Sequence, residues 1–238
     1  MSWQDTASDN DLLLLVGGMI PIPPDDEEEQ ESRIEPSILI FRDWTLWDEE
    51  HPWIRKAREH MEYHAHRFYD EGGTIEEIHG DTDEGRAKLR DIDRRELVEL
   101  RQELEKHRQL TDRETKGFRL AHIAATFGIT EPHATIRVAR TKEGHIAGIS
   151  ASHDRGTGMF KNHHLALMGA TRIAHGAGSA LTQRVMQDAA RRHRSLQLVP
   201  YDDAAARYWH SVMGAHESVD YADMGWTPDE VERMLTAA

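Results

Sequence analysis

His175-Gly176-Ala177-Gly178-Ser179-Ala180-Leu181 is the stretch on which the reading of this chain turns. Before it runs an apolar segment, Leu165 to Met168. After it come an apolar-periodic segment and then Leu196-Gln197-Leu198-Val199-Pro200. The pattern predicts a strand, a Gly-x-Gly turn, a helix and a second strand. Such a turn aims several unpaired main-chain N–H groups at one point, at the positive end of the helix dipole. It can grip a phosphate-like anion without a lysine or arginine. Glycine suits it because the missing Cβ lets an anion approach the backbone.

A further helix, Asp203 to Met213, carries Asp203, Ala206, His210 and Gly214. With it, the order and spacing resemble the GNAT superfamily of acyl-CoA-dependent N-acetyltransferases. The family's pyrophosphate loop, Gln/Arg-x-x-Gly-x-Gly/Ala, places its glycines on Gly176 and Gly178, with Ile173 at the first position and Arg172 one residue early. The later signature, Asn-x-x-Ala-x-x-x-Tyr-x-x-x-Gly-Phe, falls on Asp203, Ala206, His210, Gly214 and Ala215. Thr135 to Arg140, a Glu143-Gly144 turn and His145 to Ser152 resemble the family's hairpin. The resemblance covers roughly Pro132 to Ala215. It implies a mixed central α/β (α+β) sheet flanked by helices, with acetyl-CoA as co-substrate. The coenzyme is then held by His175, Gly176, Ala177, Gly178, Ser179, Ala180 and Asp203, and by the strand backbone at Leu167 and Met168. The position of the family's tyrosine, which protonates the departing thiolate, holds His210. Imidazole titrates near neutrality and suits that task. Tyr208, two residues away on the helix, is turned by about 200° to the other side.

The whole chain has 238 residues and no cysteine. That excludes disulfides, thiolate metal sites and an acyl-cysteine intermediate, so acyl transfer must be direct attack by the acceptor or use another nucleophile. The charge of −14 is uneven: residues 1–50 hold 14 acidic residues against Arg33 and Arg42. An acidic arm argues against nucleic acid, which needs a basic footprint. The longest apolar run, Leu12 to Ile22, is too short to span a bilayer and lacks a signal peptide's basic start. We therefore expect no membrane, and a cytoplasmic location or a place within a larger assembly such as a virion. Leu12 to Val16 reads as a docking segment for a partner or for the chain's own body.

Three regions follow. Residues 1–50 form an acidic arm with Pro21, Pro23, Pro24 and Pro36 as breakers and a candidate strand at Ser37 to Arg42. Residues 51–127 are expected to be helical. Pro52 suits the first turn of a helix that runs to about Tyr69 and closes at Gly72-Gly73. Leu89, Ile92, Leu97, Leu100 and Leu104 form one stripe across Asp83 to Leu110, and Thr111 with Glu114 forms a capping box. Residues 128–238 hold the GNAT-like part, with Thr227, Pro228 and Glu230 starting a last short helix.

Attack on a thioester needs a neutral amine, hence a base or a water path. His164 and Glu143 are the candidates carried forward beside His210, with His163, His145 and Asp154 considered too. His60 and His64 share a helical face, but His-Met-Glu-Tyr-His is not His-Glu-x-x-His, and no metal is expected. Asp81 to Gly85 opens like a calcium loop, yet its glycine is one place early and position twelve is Ile92. Two functions remain open: an N-acyltransferase acting on a primary amine of a small molecule or protein, or a non-catalytic assembly protein docked through residues 1–50.

Overall fold

The computed structural model describes residues 52–156, 161–217 and 224–236. The acidic arm, including Leu12 to Val16 and Ser37 to Arg42, lies outside the described residues. Helix α1 (Pro52–Asp70) leads into strand β1 (Thr74–His79). Helix α2 (Asp83–Asp91) passes through one π turn (Ile92–Glu96) into α3 (Leu97–His107), and α4 (Asp112–Thr130) follows. Then come β2 (Thr135–Arg140), β3 (Ile146–Arg155), β4 (Asn162–Ala170), α5 (Ala177–Arg191), β5 (Leu196–Leu198) and α6 (Asp203–Ser211). Strands β6 (His216–Glu217) and β7 (Met224–Trp226) precede α7 (Pro228–Arg233).

Among the described residues, seven strands form one sheet in the order β1-β2-β3-β4-β5-β7-β6. All pairs are antiparallel except β4 with β5. Helices α2 and α4 pack on one side of the sheet, and α5 on the other, with α1 and α7 laid on α5. The capping boxes form: Thr111 and Glu114 cap α4, and Thr227 and Glu230 cap α7.

One expectation changes. The stripe of Leu89, Ile92, Leu97, Leu100 and Leu104 packs into the core as expected, with a π turn inside it where Leu97 N–H bonds back to Ile92. Region 51–127 is not all helical, since β1 heads the sheet by pairing Thr74 with Arg140 through His79 with Thr135. An edge strand needs little apolar surface, and only Ile78 of β1 is buried. Its Thr-Ile-Glu-Glu-Ile-His sequence therefore lacks the alternation by which the other strands are recognised.

Candidate functional site

Strands β4 and β5 pair only over His163 with Leu196, His164 with Gln197 and Leu165 with Leu198. Strand β4 then continues through Ala166 to Ala170 without β5 beside it. At the same place the β3–β4 register slips: Ser152 faces Leu165 and Ala151 faces Leu167, which leaves Ala166 as the bulged residue. A bulge bends its strand and raises the local twist. The result is a notch between two parallel strands, opening at Ala166. Ala166 and Leu167 keep 7% and 5% of their surface exposed, whereas Leu165 and Met168 keep none. The notch thus reaches solvent where the pairing ends.

From Ala170 the chain turns through Thr171 to His175 and enters α5. Arg172 has φ +65 and Gly176, the N-cap, φ +74. No side chain caps the first amides of α5. The Ser179 hydroxyl in that turn and the Tyr208 hydroxyl are both buried, and the two side chains interact. Burial pushes the Tyr208 phenol pKa up, while Ser179 draws it down by less. Amides without a side-chain cap fit a polar, anionic group.

The corner is not open, however. Helix α1 crosses it so closely that a Cβ on Gly176 would lie 1.8 Å from the His64 carbonyl oxygen and 3.3 Å from the Phe68 Cβ. Ala177 and Ser179 are each 1% exposed. The sequence suggests amides free to take a diphosphate; the fold lays a helix over them. The reason is amphipathic: Ile54, Ala57, Met61, Ala65 and Phe68 form one buried stripe along α1, which has to cover something.

The remaining candidate residues scatter. Asp203 is exposed in the first turn of α6, and the capping is done by Asp202, which accepts from Ala205 N–H at 2.8 Å and pairs with Lys116. Burial alone would raise the Asp202 pKa, but Lys116 and the capped amides hold it below the usual range. His210 is exposed, with Nδ1 3.2 Å from the Ala215 carbonyl oxygen. Tyr208, by contrast, turns inward with Trp209. Its signal was in the sequence: Ala205, Tyr208, Trp209 and Val212 are spaced as the inner face of a helix.

Glu143 and His164 stand at opposite ends of the sheet. His164 pairs near the far end of the β3–β4 hairpin, and Glu143 sits in the β2–β3 turn, beside the end of β4 about six residues, or about 20 Å, further on. Glu143 instead lines a cleft of about 200 Å³ with Phe68, Glu71, Thr141, Lys142 and Ile173. His145 is exposed near the same turn. His164 stacks on His153 with ring centroids 5.5 Å apart, and Phe127 lies 5.5 Å from His153. Burial, reinforced by Arg155, His153 and His163, pushes the His164 pKa down to about 3. Such an imidazole stays neutral near pH 7, with one ring nitrogen carrying its proton and the other able to accept a hydrogen bond. His163 is fully buried on the other side, with Nδ1 3.0 Å from Asp154 Oδ1, and its pKa is lowered to about 4, mainly by burial. His60 and His64 have ring centroids 4.4 Å apart. Among the described residues no group of three or more metal-ligating side chains converges, and no helix is long and apolar enough to cross a membrane.

No protein-family model matches the sequence, and no curated protein matches it. Solved structures do. The AtaTR structure bound with AcCoA matches at 13% identity and a TM-score of 0.44, covering 69% of this chain and 98% of that one. A mutant of the AtaT toxin, bound to the C-terminus of the antitoxin AtaR and to acetyl-CoA, matches at 13% identity and a TM-score of 0.46, covering 69% and 99%. The structure described as histone acetyltransferase HPA2 and related acetyltransferase, from Corynebacterium glutamicum, matches at 18% identity and 0.37, covering 64% and 93%. At these identities and TM-scores the likeness to these structures is one of fold alone.

Proposed function

We propose that this chain is a GNAT-like N-acyltransferase that moves an acetyl group from acetyl-CoA to a primary amine. The observation that carries this reading is the notch, where the β4 bulge at Ala166 coincides with the end of β4–β5 pairing. The bare edge of β4 from Ala166 to Ala170 offers main-chain donors and acceptors to an extended, amide-bearing arm, as an added strand would use them. The first turn of α5 suits the diphosphate of the same molecule.

Acetyl-CoA supplies an acyl group activated as a thioester. The amine nitrogen forms the new C–N bond as the C–S bond breaks, and the thiolate leaves with the electron pair. A thiol has a pKa of about 8.5, and a phenol starts near 10 before burial raises it. Tyr208 therefore keeps its proton and stabilises the leaving sulfur by donating a hydrogen bond. The excess proton of the amine passes to water, because a neutral, weakly basic His164 cannot hold it.

Calorimetric titration of the full chain with acetyl-CoA tests the reading, with Gly178→Glu as control. Saturable binding by the native chain, lost in the variant, is expected, because a carboxylate beside the amides repels the diphosphate. Absence of binding both by the native chain and by a chain whose α1 has been loosened removes the acyltransferase reading.

A further inference from the structure

We infer that α1 is an intramolecular strap: it lies across the coenzyme site and must be displaced before acetyl-CoA can bind. The inference rests on the acyltransferase reading and concerns the regulation of that site. Three contacts along one face of α1 carry it. Near its start, Trp53 presses on Gly214, where a Cβ would lie 2.2 Å from the indole Cε3. In its middle, the His60 ring lies 6.2 Å from that of Tyr208. A turn later, the His64 carbonyl and Phe68 close on Gly176. Trp53 and His64 are eleven residues, or about 16 Å, apart along the helix. Helix α1 thus reaches from the glycine after α6 to the glycine before α5, passing over the buried hydroxyl proposed to meet the sulfur.

The strap is also fastened outside the site. Arg58 Nη1 donates to the carbonyls of Arg233 (3.1 Å) and Thr236 (2.7 Å), which ties α1 to the segment ending α7. Trp53 further meets His216 edge-on, with centroids 5.0 Å apart. These anchors favour the closed form without forming any part of the proposed diphosphate site. A ligand that binds only the open form has its affinity reduced by the open fraction. Weakening an anchor therefore tightens binding, which is the opposite of what damage to a binding site does.

The test uses the full chain, Trp53→Ala and Arg58→Ala, with acetyl-CoA titrated by calorimetry and hydrogen exchange followed through α1. The strap requires each variant to bind acetyl-CoA about tenfold more tightly than the native chain. In the native protein, exchange within Pro52–Asp70 must quicken when acetyl-CoA is added. Binding with α1 protection unchanged or increased overturns the strap and leaves the acyltransferase reading in place. Absence of binding in the native chain and in both variants overturns the two together. The exchange measurement needs no variant, so a variant that fails to fold does not spare the inference.

Discussion

Tyr208 and His210 sit two positions apart on α6, separated by a rotation of about 200°. The rotation is plain from the sequence, but which of the two faces the site is not. The family's signature points to His210, and the packing points to Tyr208. Trp209 fills the core between them, 0% exposed, so the inner face of α6 includes its neighbour Tyr208, while His210 is left with solvent and the Ala215 carbonyl. A hydrogen bond to a charged group is worth about 1.5–3 kcal/mol. Tyr208→Phe is thus expected to slow acetyl transfer by about 10- to 100-fold with coenzyme affinity little changed. His210→Phe should leave turnover near the native value. Steady-state kinetics on both variants decides the matter: a loss confined to His210→Phe would return the role to the histidine.

Among the elements, those that build β4, the turn and α5 were legible because local signals agree there. Apolar runs, two glycines and a 3.6-residue period all point the same way. Strand β1 was not, because it lies at the sheet edge and buries only Ile78. Helix α1 was legible as a helix, but its partner was not. The stripe from Ile54 to Phe68 tells that a face is buried, and only the tertiary fold shows that Gly176 lies beneath it. That crossing can be tested through Gly176→Ala. A left-handed conformation costs a residue with a Cβ about 1–2 kcal/mol, and the new methyl would stand 1.8 Å from the His64 carbonyl oxygen. Helix α1 must then rise from α5. We expect the variant to lose more than about 2 kcal/mol of stability in chemical denaturation, since the contact loss adds to the backbone strain. It should also show faster hydrogen exchange in α1 and in the first turn of α5. A variant as stable as the native chain would mean that α1 does not lie on Gly176.

At the scale of the whole fold, His153, His163 and His164 have pKa values lowered by burial, whereas that of His216 is raised. Burial lowers the pKa of His163 to about 4 and of His164 to about 3. His153 is lowered too, by burial and Arg155, against the opposing pull of Glu131 and Asp154. The other direction is taken by His216, raised by its hydrogen bond to Glu230 more than burial lowers it. In the unfolded chain all four would titrate near 6.5. Below that value the unfolded state binds protons that the folded His163 and His164 refuse. Stability therefore falls as pH drops from about 6.5 towards 4, by about 2 kcal/mol for each of these two residues on reaching pH 5. His216 works against this, because its stabilisation is present below 6.5 and is lost only as pH rises through its raised pKa. His153, lowered as well, acts in the same direction as His163 and His164. Asp154 and Glu114, both lowered to about 2, begin to lose their contribution below about pH 5, as pH falls through the unfolded carboxylate pKa, and so push stability in the same direction at the acid end of this window. The melting temperature should consequently be lower at pH 5 than at pH 7.5, and His164→Gln should flatten the slope between them. A melting temperature that holds or rises on acidification would show that the stacked pair beside Phe127 is solvated, and that β3 and β4 are not packed against α4 as described.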